Sequence, residues 1–227
     1  MQPYFFPYIG YFQLIAAVDT FIVYDNIKYT KKGWINRNRM LQNGKDAMFS
    51  LPLKSDSDYL DVCERELASD FNRDKLLNQF RGAYLRASYF EQVFPLVEQI
   101  VRYEDANLFR YTYHSISRIC EYLGITTEIK VSSDIAIDHN LKNQDKVLDL
   151  CGAVGANVYV NAIGGKELYS KEVFLDKNIA LKFIQSKSFE YTQFGTEFVP
   201  WLSIIDVMMF NSLDTIKSNI LANYELI

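Results

Sequence analysis

Apolar positions along the chain follow two different periods, which predict an alternation of strands and helices. In the second half, strand-like runs at 125–131, 157–161 and 179–185 alternate with helix-like stretches at 142–154 and 170–177. Short apolar runs with period two are typical of strands, whereas apolar residues three and four apart are typical of helices. Strands that alternate with helices favour a parallel sheet. We therefore predict an α/β fold with a Rossmann-like, mostly parallel sheet.

The first half adds a helix, a buried strand and a hairpin to this plan. Residues 9–18 are apolar enough for a buried helix, and residues 20–25 form a strand-like run that ends in a carboxylate. Asn43-Gly44 lies between two strand-like segments, which is a strong hairpin signal because both residue types accept positive φ. A β-hairpin is therefore predicted across residues 34–53.

Helical periodicity dominates residues 73–124 and ends at Gly124, a residue type that commonly closes helices. We interpret this stretch as a helical elaboration packed on the sheet. Another helix is predicted at 203–210, where Ser203 is the cap and Asp206 stands in the capping-box position. The chain has no internal repeat and no low-complexity segment, so all 227 residues are assigned to a single domain.

Composition limits the classes of function. The net charge of −4 argues against DNA binding, which requires a broad basic surface. The three cysteines are far apart and lack zinc-ligand spacing, so we expect free thiols and predict no metal ligand. The sequence contains neither a signal peptide nor an apolar run long enough for a membrane span, which predicts a cytoplasmic location.

Charged and aromatic residues are concentrated after the first predicted strand. Asp25 and Lys28 follow its carboxyl end, where open α/β sheets bind ligands, although a solvated loop is the alternative interpretation. Arg37 and Arg39 share one face of a strand and form a plausible clamp for phosphate or carboxylate. Trp34 could stack on a planar base or a sugar, or it could pack at an edge.

Two later turns have features of ligand-binding loops. The range Ser132–Asp134 follows a strand and can hold an anion through hydroxyl and backbone N–H groups, or it can simply cap a helix. Gly164-Gly165 follows Asn161 and either lets a ligand approach the backbone or serves as a plain turn. Neither turn matches a dinucleotide or Walker fingerprint, and no nucleophilic triad is recognisable. Positioning and electrostatics therefore fit better than covalent catalysis.

Several segments, taken together, resemble the WbqC-like proteins of bacteria. The matching segments are QPYFFPYIGYFQLI, FIVYDNIKY and GWINRNRML in the first half, and VYVNAIGGKELYSKEVF, Tyr191-Thr192-Gln193 and FVPWLSIIDVMMFN in the second. Members of this family are typically encoded among genes for O-antigen and other surface polysaccharides. The resemblance implies a cytoplasmic role in making or decorating an activated sugar.

Residue patterns and the resemblance together give a predicted site. It consists of three catalytic residues and a larger set of substrate-binding residues. The catalytic residues are Asp25, Arg37 and Asn38, and the substrate-binding residues are Gln2, Tyr8, Gly10, Lys28, Trp34, Arg39, Ser133, Asn161, Gly164, Gly165, Tyr169, Ser203 and Asp206.

The first hypothesis for the activity is transfer of an acyl or aminoacyl group to a nucleotide-linked amino sugar, within the lipopolysaccharide or O-antigen biosynthesis that the resemblance implies. ATP, acyl-CoA or an aminoacyl-tRNA could supply the activated group, and a homo-oligomer is compatible with this reading. The alternative is a non-catalytic sugar-nucleotide-binding or scaffold protein of the same pathway. A glycosyltransferase is a weaker alternative, because Asp56-Ser57-Asp58 has metal-motif spacing but resembles a flexible acidic loop.

One departure from the family pattern concerns the start of the chain. Relatives usually carry a short apolar strand just before the glutamine of QPYFFPYIG, whereas this sequence starts at Met1-Gln2. Because the loss of a central strand would damage the sheet, we expect a misplaced start rather than a different fold.

Overall fold

The computed structural model describes residues 1–195 and 197–227, and within these ranges the predicted mixed α/β class is confirmed. In chain order the elements are α1 Ile9–Ala16, β1 Thr20–Val23, β2 Arg37–Gln42, β3 Lys45–Ser50, α2 Arg73–Tyr84, α3 Phe90–Val101, α4 Leu108–Leu123, β4 Glu128–Val131, α5 Asn143–Ala153, β5 Val158–Ala162, α6 Lys171–Leu175, β6 Ala180–Ser186, α7 Ile204–Phe210, α8 Leu213–Ala222 and β7 Tyr224–Leu226. Short 3-10 turns occupy Val62–Glu64, Ser132–Asp134 and Ile163–Leu168. Across the described ranges, no helix has the length and apolarity needed to cross a bilayer.

The described strands form three small sheets instead of one continuous sheet. β1 pairs in parallel with β4, β5 pairs in parallel with β6, and β7 joins β6 in the antiparallel direction. β2 and β3 form the predicted hairpin, with Asn43 and Gly44 at positive φ in its turn. The parallel pairs of the expected sheet are therefore present, but no hydrogen-bonded ladder between described strands joins them.

A cavity of about 430 Å³ separates β1 from β5. Residues from both strands line it, among them Phe21 and Val160. Met1 also lines this cavity: its α-amino group donates a hydrogen bond to Ile22 O at 2.7 Å, and its carbonyl accepts one from Tyr24 N at 2.8 Å. The two parallel pairs are thus neighbours across a space that the backbone does not bridge.

Two clusters of buried apolar residues stabilise the fold. The larger one includes α2, α3 and α4, so the predicted helical stretch at 73–124 shares the main core with the first half of the chain. α4 ends as predicted at Gly124, which has a φ of 69°. The smaller cluster contains Val147, Cys151, Phe174, Ile179, Leu181 and Phe183. The elements α5, α6 and β6 therefore have a small core of their own.

The aromatic loop at residues 4–8 is held from two sides. Asn38 Nδ2 donates hydrogen bonds to Phe6 O at 2.9 Å and to Phe5 O at 3.3 Å, and Ser203 Oγ donates to Phe6 O at 2.7 Å. Phe6 has a φ of 45°, a conformation that non-glycine residues rarely adopt. Because both phenylalanines are fully buried, the loop is fixed between the hairpin and the start of α7.

Candidate functional site

A cluster of hydrogen-bonded polar side chains lies at the carboxyl ends of β1 and β4. Asp25 follows β1 closely and Ser132 follows β4, so the parallel pairing of these strands brings the two residues together. Asp25 Oδ1 lies 2.8 Å from Ser132 Oγ and accepts a hydrogen bond of 3.0 Å from the backbone N–H of Ser133. The polar cluster, as we call it below, consists of Asp25, Asn26, Ser132, Ser133 and Lys146.

Asp25 is kept as a charged carboxylate within this cluster. Burial would raise its pKa, but hydrogen bonds from Ser133 and Ser132 outweigh that effect and hold the pKa of Asp25 below its ordinary value. The residue is only 6 % exposed. A nearly enclosed carboxylate of this kind can bind and orient a cation such as a substrate ammonium group.

Lys146, in the first turn and a half of α5, provides a buried positive charge in the polar cluster. Its Nζ donates to Asn26 Oδ1 at 3.1 Å and to Asn26 O at 3.3 Å, and it lies 5.5 Å from the centre of the Tyr24 ring. The residue is 7 % exposed. Since an ammonium group has three N–H donors, these two contacts leave a donor for a ligand oxygen.

A second feature is a cavity of about 160 Å³ beside the aromatic loop, which we call the aromatic cleft. It is lined by Tyr4, Pro7, Tyr8, Trp34, Asn38, Arg39 and Trp201. Trp34 and Trp201, the two tryptophans of the chain, are 39 % and 57 % exposed. Trp201 has a φ of 59°, and a left-handed backbone of this kind costs about 1–2 kcal/mol for a residue with a Cβ.

Arg39 links the two tryptophans of the aromatic cleft. Its Cζ lies 5.5 Å from the centre of the Trp34 ring, and its Nη2 donates to Trp201 O at 3.2 Å. Its Nη1 lies 3.3 Å from Asp46 Oδ2, while its Nε is buried and has no hydrogen-bond partner among the described residues. The guanidinium group thus stacks on one tryptophan and fixes the backbone of the other.

Gly10 allows Tyr8 to line the cleft, because the tyrosine ring lies directly on this glycine. A Cβ at Gly10 would come within 2.6 Å of Tyr8 Cζ and 2.5 Å of Ser186 Oγ. The ring centres of Tyr8 and Trp201 are 6.2 Å apart in an edge-to-face arrangement. The lack of a side chain at residue 10 therefore allows the Tyr8 ring to take its position in the lining of the aromatic cleft.

Three other predicted residues of the first half have different surroundings. Arg37 donates from Nε to Gly33 O at 2.9 Å, so the two arginines of the predicted clamp engage different partners. Lys28 is exposed, with Nζ lying 4.5 Å from the centre of the Tyr59 ring. Gln2 is connected to the cleft through the hydroxyl of Tyr4, which lies 3.4 Å from Gln2 Oε1.

The predicted loop after β5, which contains Gly164, Gly165 and Tyr169, lies close to Tyr24. Gly165 packs against Asn161, since a Cβ there would come within 2.6 Å of Asn161 Nδ2, whereas Gly164 faces open space. Burial, followed by the nearby Tyr169 hydroxyl, raises the pKa of Tyr24. Because Lys146 also lies over the ring of Tyr24, this loop is a neighbour of the polar cluster.

Asp206 is completely buried and is held by three donors. It accepts hydrogen bonds from Tyr84 at 2.9 Å, from Tyr191 at 2.6 Å and from Gln193 at 2.8 Å. Burial raises the pKa of Asp206, and the three hydrogen bonds only partly offset that rise. These contacts tie α7 to α2 and to the segment that leads into Trp201.

Only half of the predicted capping box is present at the start of α7. Ser203 does cap the helix, because its Oγ accepts a hydrogen bond from Ile205 N at 3.2 Å. The backbone N–H of Ser203 instead donates to Arg39 O at 2.9 Å, so it is not available to Asp206. The Asp206 carboxylate instead accepts hydrogen bonds from the hydroxyls of Tyr84 and Tyr191. Ser203 and Asp206 do not line the aromatic cleft themselves, but they hold segments that do.

None of the cysteines has the character of an activated nucleophile. Burial raises the pKa of Cys120 to about 12 and that of Cys151 to about 11. Burial and the nearby Asp25 carboxylate also raise the pKa of Cys63. Among the described residues, no group of three or more His, Cys, Asp or Glu side chains is arranged to hold a metal ion.

Asn26, Lys146 and Trp201 are not among the site residues that the sequence patterns predict. Lys146 stands directly before Val147 and four residues before Leu150, on the stripe of α5 that is buried. A charged residue on a buried stripe is an available signal for a functional side chain, because lysine is rarely buried without a partner. Trp201 could be found as the only other tryptophan of the chain.

Comparisons with known proteins cover most of the chain. The model of the WbqC-like protein family matches residues 2–218. An uncharacterized protein of Mycobacterium tuberculosis, Rv1507c, is 27% identical over 214 residues, which is 93% of this chain and 91% of that protein. No solved structure matches the chain. The range matched by the family contains both the polar cluster and the aromatic cleft.

Proposed function

The chain belongs to the WbqC-like protein family, and we propose that it transfers an acyl or aminoacyl group to a nucleotide-linked amino sugar. The reaction would serve O-antigen or lipopolysaccharide biosynthesis in the cytoplasm, the setting that the family resemblance implies. The polar cluster is the observation that carries the proposal, because a charged carboxylate and a buried lysine lie at the carboxyl ends of parallel strands. In a Rossmann-like arrangement, which we infer for the two parallel pairs, ligands bind at that edge.

In the proposed reaction, Asp25 positions the amino group of the sugar and Lys146 faces the acyl oxygen. The amine nitrogen attacks the acyl carbon, a C–N bond forms, and the bond from that carbon to the leaving group breaks. The proton released by the amine is taken up by the leaving group. Lys146 stabilises the negative charge that develops on the acyl oxygen. Asp25 acts by positioning, since its lowered pKa makes it a weak base.

The donor is an acyl-CoA, an acyl adenylate formed with ATP, or an aminoacyl-tRNA. A thermal-shift screen against these donors and a panel of nucleotide-linked amino sugars identifies the substrates. A ligand at 100 times its dissociation constant stabilises a protein by about 2.7 kcal/mol, which is easily measured. The pair of compounds that stabilises the protein then enters a transfer assay.

Asp25→Asn tests the role of the carboxylate in that assay. The substitution keeps the shape of the side chain but removes its charge, so we expect transfer to slow by about 10²-fold, the scale of one lost electrostatic contact. The control is Asp58→Asn, which removes an exposed carboxylate 2.8 Å from Lys31. Equal transfer rates for the two folded variants would exclude Asp25 from the reaction.

A non-catalytic sugar-nucleotide-binding protein is the second candidate. The raised pKa of each thiol argues against a covalent thiol intermediate and is compatible with this candidate. The candidate predicts that a nucleotide-linked sugar stabilises the protein while no donor supports transfer. Pyrophosphate exchange with ATP and amino acids, or acyl transfer from any donor, would reject this candidate.

A further inference from the structure

We propose that the aromatic cleft binds the planar base of a nucleotide on the rings of Trp34 and Trp201. The inference rests on the proposed function and deepens it, because it names the moiety that is anchored away from the polar cluster. The sugar and the acyl group would be handled by the polar cluster, and the base would be held by the cleft.

The size of the cleft fits one ring system. Its volume of about 160 Å³ is smaller than the roughly 300–1,000 Å³ of pockets that enclose a drug-sized ligand. Four aromatic side chains line it, namely Tyr4, Tyr8, Trp34 and Trp201. Aromatic side chains bind bases by stacking, because every base has a π face.

The polar groups of the cleft favour a base over a sugar ring. The amide N–H groups of Asn38 are used by the carbonyls of Phe5 and Phe6. One N–H of each terminal nitrogen of Arg39 is used, by Asp46 and by the carbonyl of Trp201. A buried sugar would bring several hydroxyls into a cleft whose lining is mainly aromatic, and each unpaired hydroxyl costs about 1–3 kcal/mol. A base needs mainly the exposed faces of the rings.

Trp201 supplies an independent argument for a ligand. Its φ of 59° is unfavourable for a residue with a Cβ, and such strain is typical of ligand-binding sites. The residue is 57 % exposed, so burial does not offset the strain. The contact of its carbonyl with Arg39 holds the backbone in this conformation, with the ring at the cleft.

Intrinsic fluorescence is a direct probe of this inference, because both tryptophans of the chain line the cleft. The full chain is titrated with AMP, GMP, CMP, UMP and TMP, and with ribose 5-phosphate as the compound that lacks a base. We expect saturable quenching by at least one nucleotide and none by ribose 5-phosphate. Quenching by none of the nucleotides, or equal quenching by ribose 5-phosphate, would overturn the proposal.

Two pairs of variants locate the stacking. Trp34→Ala and Trp201→Gly should each weaken nucleotide binding by about 5- to 150-fold, which corresponds to the loss of one stacked base. Trp34→Phe and Trp201→Phe retain a ring and should bind within a few-fold of the wild type. In each variant the remaining tryptophan reports binding. Unchanged affinity in both ring-deletion variants would refute the assignment.

Folding effects can be separated from binding effects at Trp201. Glycine accepts positive φ without strain, so Trp201→Gly should bind weakly and yet unfold at a temperature no lower than the wild type. Asp25→Asn separates this inference from the proposed function, because it should slow transfer by about 10²-fold and leave nucleotide quenching intact. Nucleotide quenching with no transfer from any donor would retain the base site and reject the transferase.

Discussion

Gly10 illustrates how a single missing side chain shapes the candidate binding surface. The Tyr8 ring occupies the space that a Cβ at residue 10 would need, and the Oγ of Ser186 closes the same space from another side. The reason for glycine is therefore steric and lies in its close contact with Tyr8. The cleft depends on this contact, since Tyr8 in turn meets the edge of Trp201.

We predict that Gly10→Ala lowers the free energy of unfolding by about 1–3 kcal/mol, the usual cost of forcing extra volume into a packed site. Displacement of Tyr8 should also weaken nucleotide quenching. Urea unfolding and the fluorescence titration measure the two effects. The control is Gly82→Ala in α2, where an added Cβ meets nothing within 4 Å, and it should stabilise the helix by about 0.5–1 kcal/mol. Equal stability of the two variants would contradict the steric argument.

Sequence patterns can propose single residues as site candidates where the local neighbourhood carries the signal. Asp25 follows a strand-like run, and Trp34 and Arg39 stand in an unusual basic and aromatic segment, so all three can be proposed in advance. Lys146 cannot be connected with Asn26 in this way, because the contact joins residues 120 positions apart. Their proximity depends on how the strands pair and has no local signature.

At the scale of elements, the carboxylate of Asp206 joins parts of the chain that are distant in sequence. Tyr84 comes from α2, Tyr191 and Gln193 come from the segment after β6, and Asp206 itself belongs to α7. The hydroxyl of Tyr84 additionally accepts a hydrogen bond from Leu41 N at 3.0 Å, which adds the hairpin. The position of Trp201 follows from this network, since its segment runs between Gln193 and α7.

Asp206→Asn should lower the free energy of unfolding by about 1–3 kcal/mol, because the new amide nitrogen would leave buried donors without an acceptor. Asp70→Asn, at an exposed loop position, is the control and should change stability by less than about 0.5 kcal/mol. Denaturant unfolding of both variants measures the difference. Comparable values for the two would show that the network contributes little.

The same carboxylate also predicts how stability depends on pH. Burial raises the pKa of Asp206 in the folded protein, so the folded state binds more protons than the unfolded state above the ordinary value of about 3.9. Stability should therefore fall as pH rises from about 4 through the raised pKa, and then level off. Unfolding of Asp206→Asn across the same pH range should lack this component, and an identical slope in both proteins would contradict it.

The order and type of most elements can be predicted from the sequence, but their connections cannot. The Asn43-Gly44 turn and the Gly124 helix end carry local chemistry that fixes the structure, and both predictions are confirmed. β7 was not predicted, because three residues leave too short a pattern. The capping box failed because Arg39, a residue far away in sequence, takes the backbone N–H of Ser203.

At the scale of the whole molecule, the two buried clusters predict unequal local stability. The main cluster spans α1 to α4 together with α7 and α8, whereas the smaller cluster has two fully buried aromatic residues, Phe174 and Phe183. Phe174 stacks on Tyr159 with ring centres 5.4 Å apart and meets Tyr169 edge-on. Phe174 therefore contributes a large part of the packing in the smaller cluster.

Phe174→Ala should cost about 3–5 kcal/mol, as is usual when a buried aromatic ring is removed. Hydrogen exchange should show that amides of α5, α6 and β6 lose protection while those of α2 to α4 retain it, because local unfolding follows cooperative units. Leu175→Ala is the control, since Leu175 is 70 % exposed. Uniform loss of protection over the whole chain would contradict the division into two clusters.

The long-range arrangement of the parallel strands could not be predicted from the pattern. Alternating strands and helices predict parallel pairs, and β1 with β4 and β5 with β6 are such pairs. Whether the pairs join depends on which backbone edges meet, and side-chain periodicity carries no information about that. The contacts of Met1 are an example of this long-range arrangement. Its α-amino group is hydrogen-bonded to β1, and Met1 lines the cavity between the two parallel pairs of strands.

The position of Met1 has a practical consequence for purification. Burial lowers the pKa of its α-amino group to about 5, so this amine is uncharged near neutral pH while it donates to Ile22 O. Residues joined to the Met1 nitrogen would convert the amine into an amide and would lie beside the space between β1 and β5, which Met1 lines. At the other end, Ile227 exchanges two hydrogen bonds with Phe183. A purification handle is better inserted beside Tyr59, which is 83 % exposed, because added residues there would meet solvent.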